Sequence, residues 1–192
     1  MSDLALASRS PRRIELLRQI GVHPRVIDVV VDETPVVGEP AAALAMRLAC
    51  AKALAGRGAL GDEPVPVLAA DTVVALGGRV FGKPVDSADA IRMLRALSGR
   101  RHEVFSAVAV AGPRSLDAAL SRSEVSFARL DASAIERYVA TGEPLDKAGA
   151  YAIQGLAAGF VRRLAGSYSG VMGLPLYETA RLLRAFGVEP LG

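Results

Sequence analysis

The stretch Val65-Pro-Val-Leu-Ala-Ala-Asp-Thr-Val-Val-Ala-Leu-Gly-Gly-Arg-Val-Phe81 decides the fold. Residues 65–70 are apolar and rich in β-branched side chains, which predicts a central strand. Residues 73–76 and 79–81 flank Gly77-Gly78, a pattern typical of a two-residue β-hairpin. A buried strand followed by a hairpin predicts a sheet that has antiparallel as well as parallel neighbours.

Strands and helices alternate on both sides of this stretch. Before it, the pattern predicts strand 4–7, helix 11–20, strand 26–31, helix 41–55 and a glycine-rich loop at 55–66. After it, the pattern predicts helix 87–97 with its cap at Asp86 or Ser87, strands 103–110 and 121–128, a helix from the cap Asp131 to about 141, short strands 160–164 and 169–172, and helix 175–186. We therefore expect an α/β fold with a mixed sheet, in a single domain over residues 1–192.

Composition excludes several classes of protein. The chain has 192 residues, of which 51% are hydrophobic and 22% charged, so it can bury a substantial core. A net charge of +3 and an aromatic content of 5% argue against a nucleic-acid-binding protein. The N-terminal sequence lacks a secretory signal pattern, and no apolar run reaches the roughly 18 residues of a membrane span. We expect a cytoplasmic protein that binds no membrane.

The basic residues are strongly skewed. Of the 23, 20 are Arg and only three are Lys, namely Lys52, Lys83 and Lys147. Codon usage in a GC-rich genome produces such a skew. Lysine is also a compact point charge, whereas arginine is a planar fork, so the two differ most at a tight anion site. The alternative hypothesis is that Lys remains where a compact ammonium must fit.

The first candidate site is Ser8-Arg-Ser-Pro-Arg-Arg13, directly after the opening strand. Ser10 suits the N-cap of the following helix, and Pro11 suits its first position. The free N–H groups of a helix start attract anions, and Arg12 and Arg13 add two positive charges there. The segment predicts a phosphate cradle, and a capped surface helix with two solvated Arg is the alternative.

Carboxylates follow two of the predicted strands. Asp71 follows the central strand, where it could bind a divalent cation, accept a proton from water, or do both. The alternative is an ordinary turn residue before the hairpin. Asp32-Glu33-Thr34 offers further carboxylates for a metal, and its alternative is a plain loop.

Three later segments add polar or glycine-rich features. Residues 77–84 nearly match a P-loop, but Pro84 has no hydroxyl for Mg²⁺, so only a rigidly held Lys83 is predicted. In the block from Asp146 to Gly155, the amide of Gln154 suits a nucleobase edge. The alternative for this block is an Ala-packed loop with a local Asp146–Lys147 ion pair. Residues 166–175 predict either close backbone approach to a ligand or a tight sheet corner.

Taken in order, these segments resemble the Maf family of nucleoside triphosphate pyrophosphatases. The matching pieces are Ala7-Ser-Arg-Ser-Pro-Arg-Arg13, Asp32-Glu33, Lys52, Ala70-Asp-Thr72, Gly82-Lys-Pro84, Asp146-Lys-Ala-Gly-Ala-Tyr-Ala-Ile-Gln-Gly155, and Gly166-Ser-Tyr168 with Gly173-Leu-Pro175. They extend over residues 4–188. The block at 146–155 resembles the branch that acts on dTTP and UTP more than the branch that favours 7-methyl-GTP.

The resemblance implies hydrolysis of dTTP and UTP to the monophosphate and pyrophosphate with Mg²⁺ or Mn²⁺, clearing non-standard pyrimidine nucleotides. It implies these residue roles: Asp71 as proton acceptor, Glu33 and Asp71 at the metal, Ser8, Arg13, Lys52 and Lys83 at the phosphates, and Arg12, Thr72 and Gln154 in base selection. It further implies an elongated mixed sheet flanked by helices, in two lobes with a central cleft, similar to inosine triphosphate pyrophosphatases. A homodimer is also implied.

Three alternatives stay open. The first is a 7-methyl-GTP pyrophosphatase of the sister branch, and the second is a nucleotide-binding regulator of septum formation without catalysis. The third is a generic phosphate-binding domain. The set of Asp71, Lys52 and Lys83 favours catalysis, because binding alone does not need a carboxylate facing a triphosphate.

Overall fold

The computed structural model describes residues 4–191, within which seven strands form one mixed sheet flanked by six helices. The strands are β1 (Ala5–Leu6), β2 (Arg25–Val26), β3 (Val67–Leu76), β4 (Arg79–Phe81), β5 (Arg101–Ala111), β6 (Leu116–Phe127) and β7 (Val161–Ala165). The helices are α1 (Pro11–Gln19), α2 (Ala41–Ala59), α3 (Ser87–Leu97), α4 (Ala132–Ala140), α5 (Tyr168–Met172) and α6 (Leu176–Ala185). Short 3₁₀ turns cover Glu143–Asp146, Ala148–Ala150 and Leu156–Phe160. The predicted α/β class is confirmed.

The sheet has the order β2-β1-β3-β5-β6-β7, with β4 paired to β3 as well. Strand β1 runs parallel to both β2 and β3, and the remaining pairs are antiparallel. The two long antiparallel ladders, β3 with β5 and β5 with β6, form the centre of the sheet. The mixed sheet predicted from the central stretch is therefore confirmed.

One edge of β3 is shared between two short partners. Strand β1 pairs with Val67 and Leu68, and β4 pairs with residues 74–76. Among the described strands, none pairs with residues 69–73 on this edge, whereas β5 pairs with them on the other. The sheet therefore opens at the middle of β3, at the point where β1 ends.

The buried side chains form clusters at both ends of the long strands. At the β1 end, β3 buries Val67 and Ala69 towards α2 on one face, and Leu68 and Ala70 towards α1 and α6 on the other. At the β4 end, a further cluster packs β3, β4 and β5 against α3 and α4. The molecule thus has two lobes that share the long strands, as predicted.

Two helix starts follow the predicted capping chemistry. The Asp86 carboxylate accepts a hydrogen bond from the Asp89 N–H at 2.7 Å, and Asp131 accepts one from the Ala134 N–H at 2.7 Å. Both side chains satisfy a backbone donor that the helix itself leaves free. None of the helices within residues 4–191 is long and apolar enough to cross a bilayer.

The structure corrects two predicted strands. Of residues 26–31, only Val26 belongs to a strand, because β2 pairs solely with the two-residue β1 and the chain beyond it has no neighbouring strand in the described region. Residues 169–172 lie in the short helix α5 instead of a strand. The Ser167 hydroxyl accepts a hydrogen bond from the Gly170 N–H at 2.9 Å, which caps this helix.

Helix α2 is longer than predicted, because it continues to Ala59 through the expected loop. Gly56 lies in its buried face, where an added Cβ would be 2.7 Å from the Val67 side chain. The glycine therefore permits close packing of the helix on β3 and does not end the helix. The predicted loop shortens to the residues between α2 and β3.

Candidate functional site

A cleft of about 370 Å³ lies over the open edge of β3. Its volume is within the usual range for small-molecule sites. It is positioned at the carboxyl end of β1, where open α/β sheets bind ligands. The residues predicted to act on a nucleotide that line it are Arg12, Arg13, Glu33, Lys52, Asp71, Thr72, Lys83 and Gln154. Elements from both lobes thus converge on one cavity.

Two carboxylates and one ammonium meet on the floor of the cleft. The Lys52 Nζ lies 2.7 Å from Asp71 Oδ1 and 2.7 Å from Glu33 Oε1. Asp71 is in the interior of β3, on the face that packs against α2, and Lys52 reaches it from that helix. The side chains of Lys52 and Asp71 are only 13% and 12% exposed. The turn alternative for Asp71 is therefore wrong.

Charge balance keeps Glu33 ionised. Burial raises the pKa of Glu33, but the Lys52 hydrogen bond and the positive charges of Lys52, Lys83 and Arg13 outweigh it, so that this pKa is below its usual value. Glu33 comes from the irregular segment that follows β2. The ammonium of Lys52 between the two carboxylates offsets the repulsion between Glu33 and Asp71.

This donor set suits a cation that is shared with a ligand. Within residues 4–191, no group of three or more His, Cys, Asp or Glu side chains is arranged to hold a metal. Mg²⁺ is often held by one or two carboxylates together with substrate phosphates and water. Glu33 and Asp71 fit that arrangement, whereas a metal enclosed by protein ligands alone does not fit.

Two arginines of α1 form one wall of the cleft. Arg13 donates to the Ser8 hydroxyl at 3.1 Å and to the Gly173 carbonyl at 2.9 Å, and Arg12 donates to the Met172 carbonyl at 3.4 Å. Burial lowers the pKa of Arg13, and the negative charge of Asp71 offsets part of this effect. An anionic ligand in the cleft would stabilise this buried cation further.

The two serines of the first segment differ in position, because Ser10 lines the cleft and Ser8 does not. Ser10 occupies the N-cap of α1 and Pro11 its first position, as predicted, although the Ser10 hydroxyl makes no cap hydrogen bond. The Ser8 hydroxyl instead accepts a hydrogen bond from the Ser10 N–H at 3.2 Å and contacts Arg13. Ser8 is absent from the residues that line the cleft. Ser8 therefore acts through Arg13, which lines the cleft and donates to the Ser8 hydroxyl.

The opposite wall comes from the β4 lobe. Lys83 follows β4, and the adjacent Gly82 carbonyl accepts a hydrogen bond from the Gly149 N–H at 3.0 Å. This bond joins the lysine loop to the block that contains Gln154. On the floor, the Thr72 hydroxyl lies 3.1 Å from that of Ser106. The predicted Lys83, Thr72 and Gln154 therefore share one cavity.

Some residues that line the cleft have no site role in the predictions from sequence. Asp146 and Lys147 form the ion pair given as an alternative, yet both line the cleft, and Asp146 lies 3.6 Å from Arg12. The sequence feature that indicates a site role for these two residues is their position within the 146–155 block, which also contains Gln154. The apolar lining residues, such as Phe81 and Met172, gave no signal because apolar residues in strands and helices are typical of any core.

Family comparison agrees with this geometry. A family model described as Maf-like protein matches residues 3–186. The chain belongs to the Maf family. The dTTP/UTP pyrophosphatase of Aromatoleum aromaticum is 52% identical over 95% of this chain and 94% of its own length. That of Xanthomonas oryzae pv. oryzae is 54% identical over 97% and 100%. The resemblance found in the motifs is confirmed.

The Maf fold also resembles a solved structure. The Ham1 protein of Staphylococcus aureus matches with a TM-score of 0.51 and 18% identity, over 95% of this chain and 96% of that one. At this identity the match concerns the fold alone. The predicted mixed sheet flanked by helices is confirmed.

Proposed function

We propose that this Maf protein hydrolyses nucleoside triphosphates, above all dTTP and UTP, to the monophosphate and pyrophosphate. The observation that carries the proposal is the position of Lys52 between Asp71 and Glu33 on the floor of a cleft with cationic walls. The names of the two relatives support the choice of pyrimidine substrates.

Charge complementarity supports a triphosphate ligand. A triphosphate that carries one Mg²⁺ keeps about two negative charges near neutral pH. Arg13, Lys52 and Lys83 surround the space available for the phosphates, and Ser8 holds Arg13 in place. Cations fixed in this way stabilise the charge that develops on the departing pyrophosphate.

We assign proton transfer to Asp71. Its carboxylate accepts a proton from the water that attacks the α-phosphorus, and the bond from that phosphorus to the bridging oxygen breaks. The bonding electron pair leaves with pyrophosphate, so the products are a nucleoside monophosphate and pyrophosphate. Lys52 donates to Asp71 Oδ1 at 2.7 Å, which orients the carboxylate in the cleft.

A divalent cation, Mg²⁺ or Mn²⁺, would be held by Glu33 and Asp71 together with the phosphates. When bound, it would neutralise part of the phosphate charge. Because Lys52 lies between the two carboxylates, a cation held there would share them with the ammonium.

We assign base selection to Arg12, Thr72 and Gln154. An amide offers one donor and one acceptor, and uracil and thymine present a carbonyl next to an N–H on their pairing edge. The Gln154 amide can pair with both groups at once. The other two side chains lie in the same cavity. The same amide turned over also matches cytosine, so a preference for a 4-keto pyrimidine requires the Gln154 amide to be held in one orientation.

Three further statements stay predictions from the sequence. They are a homodimer, a cytoplasmic location, and a single domain over residues 1–192. Clearance of non-standard pyrimidine nucleotides is the role that we propose for the reaction in the cell.

The test is an assay of the purified protein with a panel of nucleoside triphosphates and Mg²⁺ or Mn²⁺, with pyrophosphate detection. We expect pyrophosphate from dTTP and UTP, and loss of the signal with a chelator. Release from 7-methyl-GTP alone would assign the protein to the sister branch. Nucleotide binding without any pyrophosphate release would support the regulator and overturn the proposal.

A further inference from the structure

Two side chains outside the cleft hold the segment that carries Gln154. The Tyr138 hydroxyl accepts a hydrogen bond from the Ala152 N–H at 3.2 Å and donates to Glu143 Oε1 at 2.8 Å. Glu143 Oε2 accepts a hydrogen bond from the Leu156 N–H at 3.1 Å. The backbone is therefore fixed two residues before Gln154 and two residues after it.

The packing under this segment is equally tight. An added Cβ at Gly155 would lie only 2.4 Å from Glu143 Oε2, so the carboxylate contacts the backbone directly beside Gln154. Tyr138 is 4% exposed, and burial together with the Glu143 hydrogen bond raises its pKa. The phenol therefore stays protonated and acts as a donor to the carboxylate.

Neither side chain lines the cleft, and neither belongs to the motifs that carry the family resemblance. We propose that Tyr138 and Glu143 are positioning residues that set the nucleobase preference by fixing Gln154. The proposal rests on the proposed function, because it requires Gln154 to contact the base. It separates base discrimination from the phosphate chemistry at Asp71.

The expected effect follows from the hydrogen bonds that would be lost. Tyr138→Phe leaves the Ala152 N–H and the Glu143 carboxylate without this partner. Glu143→Gln puts an NH₂ donor in place of one of the two carboxylate oxygens, both of which accept hydrogen bonds. A net hydrogen bond is worth about threefold to tenfold in an equilibrium. We therefore expect the ratio of kcat/KM for UTP over CTP to fall by about threefold to tenfold in each variant. The kcat for UTP should change by less than about twofold.

The experiment measures kcat and KM for UTP, dTTP, CTP and 7-methyl-GTP in the full-length protein. Glu136→Gln is the matched control, because this α4 carboxylate makes the same chemical change at a site that is 58% exposed and paired only weakly with Arg95 at 3.8 Å. Its substrate ratio should equal that of the wild type. Thermal unfolding is recorded for every variant.

An unchanged UTP-to-CTP ratio in Tyr138→Phe and Glu143→Gln would overturn the inference, as would an equal loss of kcat on all substrates. If one variant fails to fold, the other is used alone, since both act on the Tyr138–Glu143 hydrogen bond. The same two outcomes then decide. A wild-type protein that releases no pyrophosphate from any nucleotide would refute the proposed function instead.

Discussion

Replacing Lys52 by Arg tests whether the cleft needs a compact ammonium. One Nζ atom lies 2.7 Å from both Asp71 and Glu33, and the side chain is only 13% exposed. The donors of Arg are spread over a rigid planar fork, so at least one of the two contacts must lengthen. A hydrogen bond between charged groups contributes about 1.5–3 kcal/mol, which corresponds to a decrease in kcat/KM of about tenfold to 150-fold.

The assay is pyrophosphate release from dTTP and UTP by the wild type, Lys52→Arg and Lys52→Met. We expect activity to decrease in that order, since Met removes the charge as well as both contacts. Lys83→Arg should also be impaired, and its effect should be smaller because Lys83 is exposed. Thermal unfolding checks that each variant is folded. Normal turnover in both Arg variants would refute the reasoning and leave codon usage as the cause of the Lys-to-Arg skew.

Three further predictions concern catalysis and stability. Asp71→Asn should lower kcat for UTP by at least about 10²-fold to 10⁴-fold in a folded protein, and near-normal turnover would exclude Asp71 as the base. Burial lowers the pKa of His102 from 6.5 to about 4. As the pH falls, the unfolded state therefore takes up a proton at His102 before the folded state does. The free energy of unfolding should decrease by about 3 kcal/mol from pH 6.5 to pH 4. Urea unfolding of the wild type and His102→Gln at both pH values measures this decrease. An equal pH dependence of the free energy of unfolding in the two proteins would contradict the prediction. Gly166→Ala should destabilise the protein by more than about 1 kcal/mol, because φ is +124° and the new Cβ would lie 2.8 Å from the Ser123 Cα; a urea midpoint equal to that of the wild type would argue against it.

Local chemistry in the sequence predicted much of the fold. Asp86 and Asp131 cap their helices as their residue types indicate, and the Gly77-Gly78 turn joins β3 to β4. These features depend on neighbouring residues alone. Features that depend on distant partners were missed, as at β2, whose length is limited by the two residues of β1.

The site shows the same division between local and distant determinants. The sequence indicates a strand that ends before Asp71, because nothing in that segment shows that β5 pairs with all of residues 67–75. It likewise contained no sign that Lys52 would lie between Asp71 and Glu33, since the three residues belong to different elements. The family resemblance assigns all three to one site, with Glu33 and Asp71 at the metal and Lys52 at the phosphates.

The division of the β3 edge between β1 and β4 has a consequence for motion. Of the strands within residues 4–191, none pairs with residues 69–73 on the cleft side, and β5 continues past them on the other side without a break. The two lobes are thus joined beneath the cleft by an intact ladder of backbone hydrogen bonds, which resists their separation as hinged bodies. We therefore expect nucleotide entry and product release to involve movement of irregular segments that border the cleft, such as the one that carries Glu33.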